Sequence, residues 1–250
     1  MIYHILNGDS MAHTFRDTFI EGEIVVTREA LIEGSLEGDT LEEFWNTRAI
    51  ALGITLKEYY DTSVKEFMKI MNAPHGSVFN LWFEYDLFCQ VNMWFLLSLI
   101  YNSAGNKKVY AVYSSHINKE DKNFWNGFGP ADTNDLGNCY TNRILLNEKN
   151  ILFGTELWKK YKANDLQGLK ILSEEQTPAF PYIKEVIQAH IDRFPGKGRK
   201  GRPEKVIEGI LKNTSRGFNS VFQEFRKRES IYGFGDVQFK EIYDRVIHNR

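Results

Sequence analysis

A chain of 250 residues with 42% hydrophobic and 26% charged residues has the composition of a globular protein able to bury a core, which excludes a disordered or low-complexity polypeptide. A formal net charge of −2 excludes a protein that coats nucleic acid or membrane with its whole surface. The two cysteines, Cys89 and Cys139, sit in no CxxC-type pair, which argues against a disulfide framework and a structural zinc site.

The first residues hold no basic stretch followed by a long apolar run, so no secretory signal is expected. The longest apolar stretch, Val91–Ile100, falls short of the roughly 20 residues that span a bilayer. The expected location is the cytoplasm, with no membrane partner.

Ile2–Leu6 reads as a short buried strand. Asn7, Gly8 and Asp9 break it, and Asp9 or Ser10 can cap a helix running to about Phe19. Glu23–Thr27 is a second strand by its β-branched content, leading into Arg28, Glu29 and a loop with Gly34 and Gly38. Thr40 with Glu43 and Thr55 with Glu58 each announce a helix by a capping box. The second of these keeps Tyr60, Val64, Phe67, Met68 and Met71 at helical spacing, a stripe expected in the core. Pro74, His75 and Gly76 close it.

Val78–Phe83 is a third strand, followed by Glu84, Tyr85, Asp86 and a helix over Leu87–Tyr101 that is apolar on nearly every side and so expected to be central. Lys108–Ser114 is a fourth strand ending at Ser115 and His116. Residues 117–140 read as loop, Arg143–Leu146 as a short fifth strand and Glu148–Lys162 as a helix. This alternation predicts an α/β fold, a mostly parallel Rossmann- or flavodoxin-like sheet with helices on both faces, over residues 1–165. Residues 166–250 are expected to form a helical C-terminal region. It comprises a helix over Pro181–Phe194, a basic linker at 195–205, and helices over Pro203–Leu211, Phe218–Arg228 and Val237–Ile247 that can build a helix-turn-helix-like unit.

Three stretches carry a resemblance: HILNGDS (His4–Ser10), GEIVVTREAL from Gly22 with Gly34 beyond it, and WFEYDLFCQVN (Trp82–Asn92). Together they resemble the bacterial domain-of-unknown-function 1835 family, with its NGDS turn, GE…REAL segment and WFE-H-DLFCQ-N stretch. Tyr85 stands where that pattern has His. The resemblance covers Ile2–Ser115, and Phe234, Gly235, Asp236 and Phe239 resemble the helical tail such proteins carry. It implies the α/β fold and the strand-end site, and no reaction follows from it.

Polar residues gather after the strands, where ligands sit in open α/β sheets. Asn7, Gly8, Asp9 and Ser10 form a glycine turn into a helix, which presents N–H groups and a hydroxyl to an anion, or simply caps the helix. Glu84 and Asp86, placed near Asp9, could hold Mg²⁺ through hard oxygens or act as a general base and its partner. Alternatively Asp86 caps the next helix and Glu84 pairs with Arg28. Gln90 lies one turn after Asp86 and faces the same way. Arg28, with Glu29 beside it, offers a fork for phosphate or carboxylate, or an ion pair with Glu84 or Glu29. His116 is a candidate acid–base group, because histidine titrates near neutrality. Cys89 is expected to be buried rather than nucleophilic.

Gly127-Phe128-Gly129 is no dinucleotide fingerprint and Gly196–Gly201 no phosphate loop, since both lack the required order. Lys197, Arg199, Lys200, Arg202 and Lys205, then Arg226, Lys227 and Arg228, could meet DNA phosphates, with the last helix as reader. Asp236, Glu241 and Asp244 on or beside that helix oppose this and favour a docking module. Three functions remain in view. The first is binding of a small anionic, phosphate-containing or nucleotide-like ligand, with its hydrolysis as a further step and Mg²⁺ as a candidate cofactor. The second is a ligand-sensing DNA-binding regulator, and the third an adaptor without catalysis.

Overall fold

The computed structural model describes residues 1–115, 117, 125, 127–175, 177–196, 198–213 and 217–248. A five-stranded sheet runs in the order β2-β1-β3-β4-β5, formed by β1 (Ile2–Asn7), β2 (Glu23–Thr27), β3 (Val78–Trp82), β4 (Lys108–Val112) and β5 (Ile144–Leu146). The first four strands are parallel, and β5 closes the edge antiparallel to β4.

Both faces of the sheet are covered, which is why its strands are apolar at successive positions rather than alternating with polar ones. Ile5, Val25, Leu81 and Ala111 point to one face, and their neighbours Leu6, Val26, Trp82 and Val112 to the other. On the smaller face lie α1 (Asp9–Arg16) and α6 (Thr133–Thr141), with Ala12, Phe15, Leu136 and Cys139 packed around Leu6 and Trp82. On the larger face lie α2 (Leu41–Ala51), α3 (Leu56–Tyr59), α4 (Lys65–Met71), α5 (Leu87–Asn102) and α7 (Glu148–Lys162). The capping boxes at Thr40 and Thr55 both form. Helix α5 is buried on all sides between the sheet and α7, as its all-round apolar character requires.

Three local expectations are corrected. Helix α1 ends at Arg16, not near Phe19: the Thr18 hydroxyl donates to the Phe15 carbonyl, and Phe19 is fully exposed with nothing to pack on. Within the stretch read as loop, Asp132 and Asp135 form a capping box that starts α6, and Leu136 and Cys139 reach the core. Met68 is exposed whereas Val64, Phe67 and Ile70 are buried. A π-turn at Tyr60–Val64 joins α3 to α4 and adds a residue to one turn, which rotates the apolar stripe.

The C-terminal region holds α8 (Leu166–Leu172), α9 (Ile183–Asp192), α10 (Arg202–Asn213), α11 (Phe218–Glu229), a 3₁₀ turn at Ser230–Tyr232 and α12 (Asp236–His248). Ile207, Ile210, Val221, Phe225, Phe239 and Val246 belong to the same hydrophobic core as α5 and the sheet, so these helices are docked on the α/β unit. The basic segment ends as the start of α10, where Arg202 bridges to Glu229 at 2.8 Å and to Asp192 at 3.5 Å. Among the described residues no helix is long and apolar enough to cross a membrane.

Candidate functional site

From β1 the chain passes to β2 on one side and later returns to β3 on the other. The carboxyl ends of β1 and β3 are therefore the switch point of the sheet, where the connections diverge and leave a crevice. A cavity of about 270 Å³ opens there. Asn7, Ser10, Met11 and Thr14 line it from β1 and α1, Trp82 and Glu84 from β3 and the turn after it, and Phe128, Gly129 and Leu136 from the segment leading into α6. Gly8 makes the sharp turn possible, with φ +87° and its N–H donated to the Thr27 carbonyl at 2.9 Å. Among the described residues no side chain caps α1, which leaves the N–H groups of its first turn open.

Glu84 is the centre of the polar network. Its carboxylate accepts from the Phe128 N–H at 2.5 Å and lies 3.4 Å from the Cys89 thiol. Asn7 donates to that sulfur at 3.0 Å, and Asn92 donates to Asn7 Oδ1 at 2.9 Å and to the Glu29 carbonyl at 2.9 Å. Gln90 donates to the Glu84 carbonyl at 2.7 Å. A hydrogen-bonded chain thus runs from α5 through the end of β1 to one carboxyl group, and it fixes that group's orientation.

Asp86 stands behind Glu84, fully buried, and caps α5 by accepting from the Cys89 N–H at 3.0 Å. Two glycines press on the pair. A Cβ at Gly127 would overlap the Glu84 carboxylate, and one at Gly233, in the turn before α12, would overlap that of Asp86. Burial, then the charge of Asp86, pushes Glu84 up to about 7. Burial raises Asp86 as well, so the two carboxyls share a proton near neutrality, with Glu84 its holder at the cavity wall. Burial raises the Cys89 thiol well above its ordinary value, which keeps it protonated.

The expected site residues separate into two groups. Asn7, Ser10 and Glu84 line the cavity; Gly8 shapes its turn, while Asp86 and Gln90 support it from behind. Asp9 and Arg28 do not join them. Arg28 neither clamps the cavity nor pairs with Glu84 or Glu29: it forms a bidentate pair with Asp9, at 2.8 and 2.7 Å, and donates to the Thr62 carbonyl at 3.1 Å. Asp9 is thereby held outward, away from the carboxylates it was expected to join.

Glu29 is likewise structural. It is buried, takes the fully buried Arg48 at 3.0 Å, and accepts from the Tyr59 hydroxyl. Arg48 then donates to the carbonyls of Ala30, Glu33 and Ser35 at 2.9–3.1 Å, so the 29–38 loop is wrapped around one guanidinium. His116 lies outside the described residues.

Asn92, Phe128 and Arg226 are contributors that sequence reasoning missed. Asn92 had a signal, an amide two residues after Gln90 in a helical run that is mostly apolar. Phe128 acts through its backbone N–H, and Arg226 arrives from α11, more than a hundred residues away in sequence. Neither relation leaves a local pattern.

Glu84, Asp86 and Cys89 place three potential ligand atoms within 4.8 Å of one another. The set does not fit Mg²⁺, which keeps several waters and prefers oxygen ligands at octahedral positions. Asp86 is closed off by Gly233, one member is a protonated thiol, and N–H donors from Phe128 and Asn7 point at the cluster where a cation would need lone pairs. A larger cavity of about 540 Å³ lies between the 31–37 loop and α12. Its charged groups are partly paired off, with Gln238 on Glu33 at 2.6 Å, Arg193 on the Ile32 carbonyl at 2.9 Å and Arg245 near Glu204 at 3.8 Å, while the two ring nitrogens of buried His190 meet no hydrogen-bond partner among the described residues. Of these two cavities the strand-end one is the better candidate, because it joins the switch point of the sheet to the Glu84 carboxyl.

Compared with family models, curated proteins and solved structures, the chain matches none.

Proposed function

We propose that the protein binds a small anionic ligand, of the phosphate-ester or nucleotide-like class, in the crevice between the ends of β1 and β3. We also propose that Glu84 serves as its general acid–base group in a hydrolytic step. The observation that carries this reading is the meeting, in one cavity at the switch point, of open α1 amides, the Asn7 and Ser10 side chains and a carboxyl titrating near 7. A cavity of about 270 Å³ lies at the low end of ligand sites and favours a compact ester over a dinucleotide.

In this reading Ser10 and the α1 amides hold the anion, and Asn7 positions it while anchoring Cys89. Protonated Glu84 donates to a leaving oxygen; ionised, it takes a proton from water. Asp86 touches no ligand and acts by setting the proton affinity of Glu84. A DNA-binding role draws less support, because Lys200, Arg202 and Arg228 of the basic set are already paired with Glu208, Glu229 and Glu224.

The test is a thermal-shift screen of the purified chain against inorganic phosphate, sugar phosphates and nucleoside monophosphates, followed by product assays on compounds that bind. At a hundredfold excess over Kd a ligand stabilises the fold by about 2.7 kcal/mol. The shift should vanish in Ser10→Ala with Asn7→Ala. Glu84→Gln should keep binding and lose turnover. Absence of any shift across the panel would refute the reading.

A further inference from the structure

An anion site of this kind needs a cation, and Arg28 is committed to Asp9. Among the described residues lining the cavity Arg226 is the one lysine or arginine, and it stands there with Asn7, Ser10 and Glu84. We infer that Arg226, carried by α11, is the anion-recognition residue of this cavity, so that its ligand bears an oxyanion that accepts a guanidinium fork and binds only with the C-terminal helices docked. The inference rests on the anion-binding reading above and adds the recognising residue and the part of the chain that supplies it.

Three observations carry it. The first is charge. Among the described residues Arg226 pairs with no carboxylate, whereas Arg228 on the same helix holds Glu224 at 2.6 Å and Arg202 holds Glu229 at 2.8 Å. Glu84 lines the same cavity, and because the buried Glu84–Asp86 pair shares a proton near neutrality, it sets one negative charge rather than two against the guanidinium. The second is placement. Phe222, one helical turn earlier, lies under the guanidinium at 5.8 Å, and buried Val221 and Phe225 fix the helix on the core.

The third is docking. The turn after α11 brings Gly233, at φ +62°, directly onto Asp86, so the segment that carries Arg226 is seated on the carboxyl pair itself. Gln238 on Glu33 at 2.6 Å ties α12 to the α/β unit as well. A ligand bridging the α1 amides and Arg226 would join the two parts of the chain across the cavity. The shared chemistry is a planar fork meeting a phosphoryl or carboxylate group, and the two are separable by experiment.

Isothermal titration of the full chain with inorganic phosphate, and separately with acetate, tests the inference, alongside backbone amide exchange. Phosphate affinity should fall roughly tenfold or more in Arg226→Gln, since a charge-assisted contact is lost. Arg226→Lys should retain part of it as a point charge, and Lys227→Gln, one residue along the helix, should retain all of it. Phosphate should slow amide exchange across 218–232 in the wild type and not in Arg226→Gln. Binding of acetate with the same dependence on Arg226 would identify a carboxylate ligand and support the same residue. Equal phosphate affinity in wild type and Arg226→Gln would overturn this inference and leave the anion reading standing. Failure of the wild type to bind either probe would overturn both.

Discussion

Replacing Glu84 by Gln should stabilise the protein at alkaline pH and leave it nearly unchanged in mild acid. The folded chain holds the Glu84 proton up to about pH 7, whereas the unfolded chain releases it near the ordinary 4.5. Because the folded value is the higher one, the favourable state is complete below 4.5 and is lost as pH rises through 7. Above that, the ionised group sits half-buried against Asp86 at a cost of about 3 kcal/mol, the free energy that corresponds to the displacement from 4.5 to about 7. Gln keeps a carbonyl oxygen for the Phe128 N–H and carries no charge at any pH. In a chain of this length about 3 kcal/mol is roughly 6–10 °C in Tm. Thermal denaturation of both proteins between pH 5 and 8.5 should show curves that coincide at the acid end and separate above pH 7, with the variant more stable. A constant offset across the range, or a less stable variant at pH 8, would refute the account of a buried carboxyl pair sharing a proton. Stabilisation on neutralising a single polar residue is also what a functional site is expected to show.

Other consequences of the geometry can be checked directly. Gly233→Ala places a Cβ onto Asp86 at a positive φ and should cost at least roughly 2 kcal/mol, with α10–α12 becoming the first region cut in limited proteolysis. Arg48→Met leaves Glu29 buried without its cation, and urea denaturation should show a loss of roughly 3–5 kcal/mol. By contrast Asp9→Ala breaks an exposed pair and should cost under about 1 kcal/mol without weakening phosphate binding. Iodoacetamide at pH 8 should modify neither Cys89 nor Cys139 in the native chain and both in denaturant, because each is buried and the Cys89 thiol stays protonated.

The contrast between the two arginine–carboxylate pairs shows how tertiary position decides what a residue can do. Arg28 and Arg48 each meet one acidic side chain in bidentate fashion. The first pair is solvated, exchanges readily with water and can contribute little to stability. The second is sealed in the core, where the Ala30 N–H, the carbonyls of Ala30, Glu33 and Ser35 and the Tyr59 hydroxyl converge on it, and it organises the loop between β2 and α2. The consecutive residues Arg28 and Glu29 thus belong to different environments, because successive positions at a strand end point to opposite sides of the sheet.

Much of the architecture was legible in local sequence. Strand residues such as Ile5–Leu6 and Leu81–Trp82, apolar at successive positions, announce a sheet covered on both faces. Thr40–Glu43 and Thr55–Glu58 satisfy their own helix ends over three residues, and the apolar run of α5 can only be central. The strand-end position of Asn7, Ser10 and Glu84 follows from the same reading, since it needs only the places where strands stop. What tertiary structure decided was pairing at long range: Arg28 with Asp9 rather than Glu84, Glu29 with Arg48, Gly233 on Asp86, and Arg226 at the cavity. Caps and apolar periodicity act over one or two turns of chain, so sequence records them. Ion pairs and close glycine contacts join residues separated by tens to hundreds of positions, and only the closed packing of the sheet and its C-terminal helices selects among the partners that composition allows.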